Sequence, residues 1–396
     1  MRLDQALDQA AQPISSAPAK LPQPISPSSS RSRRHGWHPI SRRLRDAPAM
    51  IPSLRTLSVF TRSLLSRRTT RTVTSNPSFR PLLRAMTTST PSPVLKQPVK
   101  LACVQLASGF DKAANLAHAR EKVVEAARGG AKIVVLPECF NSPYGCDFFP
   151  TYAETLLPGP PSKEQSPSYH ALSAMAAETG TFLIGGSIPE ADPDPAAKKY
   201  YNTSLVFGPD GALLASHRKV HLFDIDIPGK ITFRESDVLS PGNKITLVDL
   251  PGYGRIAVAI CYDIRFPELA TIAARRGCFA LVYPGAFNLT TGPLHWRLQG
   301  QARAMDNQVY VALCSPARDP DPGAHYRAYG HSLVVDPMAQ VVVEAAEAEA
   351  IVSWELDGAA LEATRSGIPL YSQRRFDVYP DVSKGSIRFD EPGTPQ

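Results

Sequence analysis

Residues 255–269 read RIAVAICYDIRFPEL, so an apolar run, a cysteine and the start of a helical pattern follow one another. The run over residues 256–260 is wholly apolar, which is typical of a short strand buried on both faces. From Pro267 onward, apolar residues recur at helical spacing. Cys261 is therefore predicted in a strand-to-helix turn, where functional side chains of α/β proteins tend to lie. A cysteine is more often a small core residue, but this position favours a chemical role.

The same alternation of patterns extends over most of the chain after residue 98. Apolar and β-branched runs predict strands at residues 99–106, 132–136, 181–187, 279–283, 309–314, 332–335 and 341–344. Helical patterns cover residues 115–128, 169–179, 267–276 and 294–307, and residues 202–219 are predicted to form a hairpin that turns at GPDGAL. Such alternation predicts an α/β protein whose helices cover its sheets.

One internal likeness bears on the arrangement of those sheets. Residues 133–141 (IVVLPECFN) and residues 280–288 (ALVYPGAFN) share a strand, a proline and a Phe-Asn pair. Two similar halves, packed as two stacked sheets with helices outside, explain the likeness, and chance similarity is the alternative.

The positive charge of the chain is confined to its beginning. The whole chain carries a formal net charge of +7. Residues 1–96 contain sixteen Lys and Arg against three Asp, and the remainder contains 27 basic and 33 acidic residues. The predicted folded part is therefore net acidic, which excludes an ordinary nucleic-acid-binding domain.

Residues 1–97 are predicted to be a disordered extension, because they are rich in Arg, Ser and Pro and poor in regular apolar spacing. Arg-rich, acid-poor composition is also that of a mitochondrial targeting segment, and residues 50–73 fit it best, with an apolar helical face among arginines. A nucleic-acid-binding arm and an unselected extension are the alternatives. A second start at Met86 would give a cytoplasmic form, so we expect a mitochondrial or cytoplasmic location, or both.

The remaining composition predicts a protein with free thiols, no metal and no membrane span. Six cysteines in 396 residues lack the paired short spacings of a zinc site and are too sparse for a disulfide scaffold. No apolar run approaches the roughly 18 residues of a membrane-spanning helix.

Two further side chains could activate Cys261. Glu138 follows an apolar strand and a proline, and Lys219 lies in the alternating stretch HRKVHLFDIDIPGK. An acid can take the thiol proton, and an ammonium can stabilise a thiolate or an oxyanion. Taken singly, Glu138 could be a solvated loop residue and Lys219 a surface charge. A Cys-His enzyme is the other chemical alternative, with its histidine among His217, His221, His295 and His331.

Four longer stretches resemble the nitrilase superfamily of carbon-nitrogen hydrolases, most closely its omega-amidase branch. They are LPECFNSPYG, HRKVHLFDIDIPGKITFRESDVLSPG, GRIAVAICYDIRFPELA and VYPGAFNLTTGPLHWRLQGQARAMDNQVYV, and the likeness runs from about residue 100 to residue 379. The resemblance implies an α-β-β-α sandwich that forms a homodimer. It also implies a catalytic acid at Glu138, a lysine at Lys219, a nucleophile at Cys261 and a second glutamate, hydrogen-bonded to the lysine, at Glu235. We accordingly expect a hydrolase domain over residues 98–381 and a surface tail over residues 382–396.

The omega-amidase branch implies hydrolysis of the terminal amide of 2-oxoglutaramate and 2-oxosuccinamate, without metal or organic cofactor. Such substrates carry a carboxylate, for which Arg265 is a candidate clamp; pairing of Arg265 with Glu268 or another acid is the alternative. Thr291 is a candidate hydroxyl donor, and the backbone N–H of Tyr262 a candidate oxyanion donor. A nitrilase, an N-carbamoyl amino-acid hydrolase or a non-catalytic interaction module are the competing functions, and neither a nucleic-acid nor a membrane partner is expected.

Overall fold

The computed structural model of the protein describes residues 94–156 and 159–390. Residues 1–93 of the predicted extension, which include the targeting segment, lie outside the described residues. None of the helices within the described ranges is long and apolar enough to cross a membrane.

The strands fall into two large sheets and one small one. In chain order they are β1 Val99–Gln105, β2 Ile133–Val135, β3 Phe182–Ile184, β4 Ile188–Ala191, β5 Tyr200–Phe207, β6 Leu213–Arg218, β7 Asp224–Ile227, β8 Ile231–Arg234, β9 Thr246–Leu250, β10 Gly254–Val258, β11 Cys278–Pro284, β12 Tyr310–Cys314, β13 Leu333–Val335, β14 Val341–Glu344 and β15 Ala350–Leu356. The helices are α1 Lys112–Arg128, α2 Phe149–Tyr152, α3 Pro167–Thr179, α4 Pro267–Arg275, α5 Gly292–Asn307, α6 Gly358–Gly367 and α7 Leu370–Gln373.

The first sheet has seven strands in the order β15-β1-β2-β3-β5-β4, with β6 also paired to β5. The second has six strands in the order β14-β13-β12-β11-β10-β9, and β7 and β8 form a separate hairpin. Each large sheet has three parallel strands at its centre, β1-β2-β3 in one and β10-β11-β12 in the other. The two similar stretches of sequence lie on the middle strand of each trio, as two similar halves would require.

Three apolar clusters define the layers. One joins residues of both sheets, such as Cys103 and Val135 with Val258 and Val282. A second packs the first sheet against α1 and α3, and a third packs the second sheet against α4 and α5. Because the continuous apolar strands are covered on both faces, the stack is helix, sheet, sheet, helix. The predicted α/β sandwich of two stacked sheets flanked by helices is confirmed.

The predicted strands and helices after residue 98 are present, with ends that differ by a few residues. The strands β4, β9 and β15, the hairpin β7–β8 and the helices α2, α6 and α7 were not predicted. Part of the predicted tail contacts the second sheet and α4: the N–H of Ile245 donates to the carbonyl of Arg388 at 2.9 Å, and Arg275 Nε donates to Ser383 Oγ at 2.8 Å.

Candidate active site

Three strands end at one place and carry the predicted chemical groups there. Glu138 follows β2, Lys219 directly follows β6, and Cys261 begins a single 3-10 turn, Cys261–Arg265, after β10. β6 runs parallel to β2, since it pairs antiparallel to β5, which pairs antiparallel to β3 beside β2. The carboxyl ends of β2 and β6 therefore lie on the same edge of the first sheet, as is common for functional sites in α/β proteins.

Glu138 is buried and its carboxylate accepts three hydrogen bonds. The N–H of Ala286 donates to Oε2 at 2.7 Å, Asn202 Nδ2 donates to Oε1 at 2.8 Å, and Lys219 Nζ lies 3.3 Å from Oε1. Ala286 lies in the second copy of the internal likeness and Glu138 in the first, so the two copies meet at this carboxylate. Several donors around one buried carboxyl group fix its orientation.

Lys219 lies between two carboxylates. Its Nζ donates to Glu235 Oε1 at 2.7 Å, in addition to the contact with Glu138, and all three side chains are buried. Burial alone would lower the pKa of Lys219, but the charges of Glu138 and Glu235 raise it well above the ordinary value. The ammonium is therefore retained at neutral pH. Burial raises the pKa of Glu235, and Lys219 offsets part of that effect.

Glu235 is itself held by two further groups. It opens a 3-10 turn at the end of β8, and its Oε2 accepts the N–H of Phe223 at 2.7 Å. The hydroxyl of Tyr144 lies 3.3 Å from Oε1. Glu235 therefore links the β7–β8 hairpin to the lysine.

Cys261 is buried, with 4% of its surface exposed, and has a φ of +46°. A positive φ is uncommon for a residue with a side chain and costs on the order of 1–3 kcal/mol, so the fold must impose it. Gly285 lies close to this turn, because a Cβ there would be 3.1 Å from Cys261 Cα. Burial, and then the neighbouring Glu138 charge, raises the pKa of the Cys261 thiol well above its ordinary value, with Lys219 acting in the opposite direction. The resting thiol therefore keeps its proton beside a carboxylate.

A cavity of about 140 Å³ lies against Glu138 and is also lined by Ser142, Tyr144 and Tyr326. The rings of Tyr144 and Tyr326 are 4.4 Å apart, and the Tyr326 hydroxyl donates to the carbonyl of Ala286. Tyr144, Tyr326 and Asn202 were not predicted as site residues. Tyr144 belongs to SPYG, the end of the quoted stretch LPECFNSPYG, and this stretch could have marked it as a site residue. Nothing near Tyr326 or Asn202 in the sequence marks those two residues.

The predicted substrate-binding residues surround the turn that follows Cys261. The guanidinium of Arg265 lies 4.9 Å from the Phe287 ring and 5.4 Å from the Tyr262 ring, and its Nη1 is 3.2 Å from His295 Nδ1. Within residues 94–156 and 159–390, no carboxylate forms an ion pair with Arg265, so the alternative pairing with Glu268 is absent there. Thr291 is buried at the start of α5, and its hydroxyl donates to Asn288 Oδ1 at 3.2 Å.

The four candidate histidines have other partners. His217 and His221 contact Asp263 at 3.0 and 2.7 Å, and His331 lies 3.3 Å from Glu344. His295 contacts Arg265, as described above. These contacts favour Glu138 over a histidine as the group that accepts the thiol proton.

A metal site is also absent from the part of the chain that the structure describes, where no group of three or more His, Cys, Asp or Glu side chains could hold an ion.

Comparisons with known proteins find a matching family model and similar sequences. A family model described as carbon-nitrogen hydrolase matches residues 100–366. Omega-amidase NIT3 of Saccharomyces cerevisiae is 52% identical over 295 residues, which cover 74% of this chain and 98% of that protein. Omega-amidase NIT2 of Homo sapiens is 54% identical over 280 residues, which cover 71% of this chain and 96% of that protein.

Among solved structures, the crystal structure of Saccharomyces cerevisiae Nit3, described as a member of branch 10 of the nitrilase superfamily, aligns with a TM-score of 0.65 and 50% identity. The alignment covers 72% of this chain and 98% of that chain. At this identity the likeness extends beyond the fold to the sequence.

Proposed function

This chain belongs to the carbon-nitrogen hydrolase family, and from that premise we propose that it is an omega-amidase. It hydrolyses the terminal amide of 2-oxoglutaramate and 2-oxosuccinamate to 2-oxoglutarate or oxaloacetate and ammonia. The observation that carries this conclusion is its identity of 52–54% to the omega-amidases of yeast and man over nearly their whole length.

The mechanism that we propose begins with proton transfer from Cys261 to Glu138. The thiolate sulfur attacks the amide carbon, and the carbonyl electron pair moves to oxygen. The Lys219 ammonium and the backbone N–H of Tyr262 stabilise that oxyanion. When the tetrahedral intermediate collapses, Glu138 returns its proton to the leaving nitrogen, so that ammonia departs and a thioester remains on Cys261.

The second half repeats these roles with water as the nucleophile. Glu138 takes a proton from water, the hydroxide attacks the thioester carbon, and the sulfur leaves as a thiol with the proton from Glu138. Lys219 again stabilises the oxyanion, and Glu235 keeps the lysine charged and oriented. The short Lys219–Glu235 distance of 2.7 Å supports this role.

Substrate selection is assigned to Arg265, because the hydroxyl of Thr291 already donates to Asn288 Oδ1. Arg265 has a partly buried guanidinium held between two rings and free of protein carboxylates in the described residues, which suits a bidentate contact with a substrate carboxylate. Arg265→Met should raise KM for 2-oxoglutaramate far more than for a neutral short amide. Equal changes for both substrates would reject the clamp.

The direct test of the function is ammonia release from four substrates: 2-oxoglutaramate, glutamine, a small nitrile and an N-carbamoyl amino acid. We expect 2-oxoglutaramate to give the highest kcat/KM and Cys261→Ala to give no turnover. Carbon dioxide release from the carbamoyl compound, or a preference for the nitrile, would instead support the corresponding alternative enzyme.

We also propose that the protein is a homodimer. Support comes from α5, where Leu294 and Leu298, one turn apart, are 63% and 61% exposed, and large exposed apolar side chains often mark interfaces. Light scattering of the full chain should give twice the monomer mass, and Leu298→Asp should lower it. A monomeric wild-type protein at micromolar concentration would reject the proposal.

We propose further that residues 1–97 direct the protein to mitochondria and that a start at Met86 gives a cytoplasmic form. Support comes from the charge of this segment and from its position before the family match, which begins at residue 100. Residues 1–97 fused to a fluorescent protein should locate to mitochondria, and a fusion beginning at Met86 should not.

A further inference from the structure

Asp263 is a buried carboxylate that the mechanism above leaves without a role. It lies two residues after Cys261, is fully buried, and accepts four hydrogen bonds. The N–H of Ile260 and Nε2 of His217 are each 3.0 Å from Oδ2, while the N–H and Nδ1 of His221 are 2.9 and 2.7 Å from Oδ1. A buried carboxylate is costly unless it is paired in this way, so the residue has a specific structural purpose.

The partners of Asp263 come from the two segments that carry the reacting groups. His217 and His221 lie two residues before and two residues after Lys219, and Ile260 directly precedes Cys261. One carboxylate therefore joins the end of β6, in the first sheet, to the turn after β10, in the second sheet.

Both histidine rings are fixed in orientation. His217 is fully buried, and its Nδ1 lies 2.9 Å from Thr246 Oγ1 on β9. The ring of His221 stacks on Phe266 with centroids 3.6 Å apart and an angle of 10°. Each ring thus presents one defined nitrogen to Asp263, Nε2 from His217 and Nδ1 from His221.

We propose that Asp263, acting through His217 and His221, is a positioning residue that sets the placement of the Cys261 thiol relative to the Lys219 ammonium. The inference rests on the proposed function, because it assigns Asp263 to the same reaction. A displacement of about 1 Å between reacting groups can lower the rate about 100-fold, which makes such a clamp functionally valuable.

The first test replaces Asp263 by Asn and compares it with Glu154→Gln. Glu154 is a matched control, because it is also a buried carboxylate with four donors, from Lys112, Ser166 and both the N–H and hydroxyl of Ser168. We expect Asp263→Asn to lower kcat about 10- to 100-fold, with KM changed less than about twofold. We expect Glu154→Gln to lose a similar amount of thermal stability while kcat stays near that of the wild type. Equal kcat in the two variants would overturn the proposal.

The second test uses the different nitrogens that the two histidines present. The side-chain nitrogen of Gln can take the place of an imidazole Nε2, and that of Asn the place of Nδ1. His217→Gln should therefore keep more activity than His217→Asn, whereas His221→Asn should keep more than His221→Gln. If the larger side chain is better at both positions, packing alone matters and the proposal is wrong.

The rate of Cys261 alkylation by iodoacetamide, followed by peptide mass spectrometry, separates this proposal from the proposed function. Asp263→Asn should slow alkylation several-fold, and Glu154→Gln should not. If the wild type releases no ammonia from 2-oxoglutaramate but the alkylation rates differ in this way, the omega-amidase function fails and the clamp stands. If the wild type is active and Asp263→Asn alters neither rate, the clamp fails and the function stands.

Discussion

In the mechanism that we propose, the buried Cys261 thiol is the proton donor and the buried Glu138 carboxylate is the acceptor. Burial and the Glu138 charge both raise the pKa of the thiol, while Lys219 lowers it. The site therefore differs from a preformed thiolate and ion pair, in which the nucleophile is already ionised. In the proposed mechanism, proton transfer to Glu138 is therefore the first step of the reaction and not a property of the resting enzyme.

Glu138→Gln should lower the pKa of the Cys261 thiol and still abolish turnover. The substitution removes a negative charge that raises this pKa and leaves Lys219 to favour the thiolate. The pH profile of Cys261 alkylation, followed by peptide mass spectrometry, should shift to lower pH, while kcat falls by several orders of magnitude because the proton acceptor is lost. An alkylation profile that shifts to higher pH would contradict the charge argument.

Glu235→Gln should shift the alkaline limit of activity to lower pH. Glu235 is one of the two carboxylates that raise the pKa of Lys219, so its neutralisation lowers that pKa and the ammonium loses its proton at lower pH. We expect kcat at pH 7 to fall about 10- to 100-fold and the alkaline limb of the pH profile to shift to lower pH. The pH profile of kcat between pH 7 and pH 10.5 measures both effects. Tyr144→Phe is the control, because it removes only the longer 3.3 Å contact and should leave the limb in place.

Among the turns that build the site, the one after β3 approaches the Glu138 segment most closely. Gly186 has a φ of +56°, and a Cβ there would lie 2.0 Å from the carbonyl oxygen of Pro137. The N–H of Ser187 also donates to that carbonyl, at 3.3 Å. The turn after β3 thus holds the residue before Glu138 in place.

Gly186→Ala should destabilise the protein and reduce activity more than Gly180→Ala. Both glycines have positive φ, but a Cβ added to Gly180, at the end of α3, would meet no atom within 4 Å. Gly180→Ala should therefore cost only the backbone term of about 1–2 kcal/mol, and Gly186→Ala more than about 3 kcal/mol because the backbone must move. Urea unfolding measures the free energy of unfolding of both variants. Equal losses would contradict the expectation, because they would show that the Pro137 backbone can move away from the added Cβ without cost.

The sequence allowed the prediction of elements that carry their own signal. β11 and β12 are continuous apolar runs, and both were predicted to within one residue at each end. The hairpin β7–β8 was missed, because its alternation FDIDIPGKITF lies on a short, half-exposed element with little core to reveal it. β15 was also missed, because its place beside β1 depends on pairing with a strand about 250 residues earlier.

The candidate site also contains residues with a local sequence signal and residues whose contacts depend on the tertiary structure. Glu138, Lys219 and Cys261 stand at strand ends within recognisable motifs, so they could be proposed as site residues from the sequence. Asn202 contacts Glu138 across 64 residues of chain. The role that we propose for Asp263 can be recognised only in the tertiary structure, where the end of β6 and the turn after β10 lie next to each other. Contacts of this kind depend on the tertiary structure and not on local spacing.

In the molecule as a whole, the candidate site lies where residues of both sheets meet. Glu138, Lys219 and Asn202 come from the first sheet, and Cys261 and Ala286 from the second. The apolar cluster between the sheets therefore supports the geometry of the candidate site as well as stability. The first buried residue of this cluster along the described chain is Leu95, which is 2% exposed.

A chain that starts at residue 94 should retain full activity, whereas one that starts at residue 99 should be less stable. Leu95 packs between the sheets and pairs with Gly254, and the N–H of Lys96 donates to the carbonyl of Tyr253 at 2.8 Å. Loss of a buried leucine costs about 2–5 kcal/mol, so the shorter chain should unfold at lower urea concentration, and Leu95→Ala in the full chain should reproduce most of the loss. The longer chain should keep kcat/KM for 2-oxoglutaramate within about twofold of the full protein, because the family match begins at residue 100. A large fall in kcat/KM on removal of residues 1–93 alone would instead give the extension a part in catalysis.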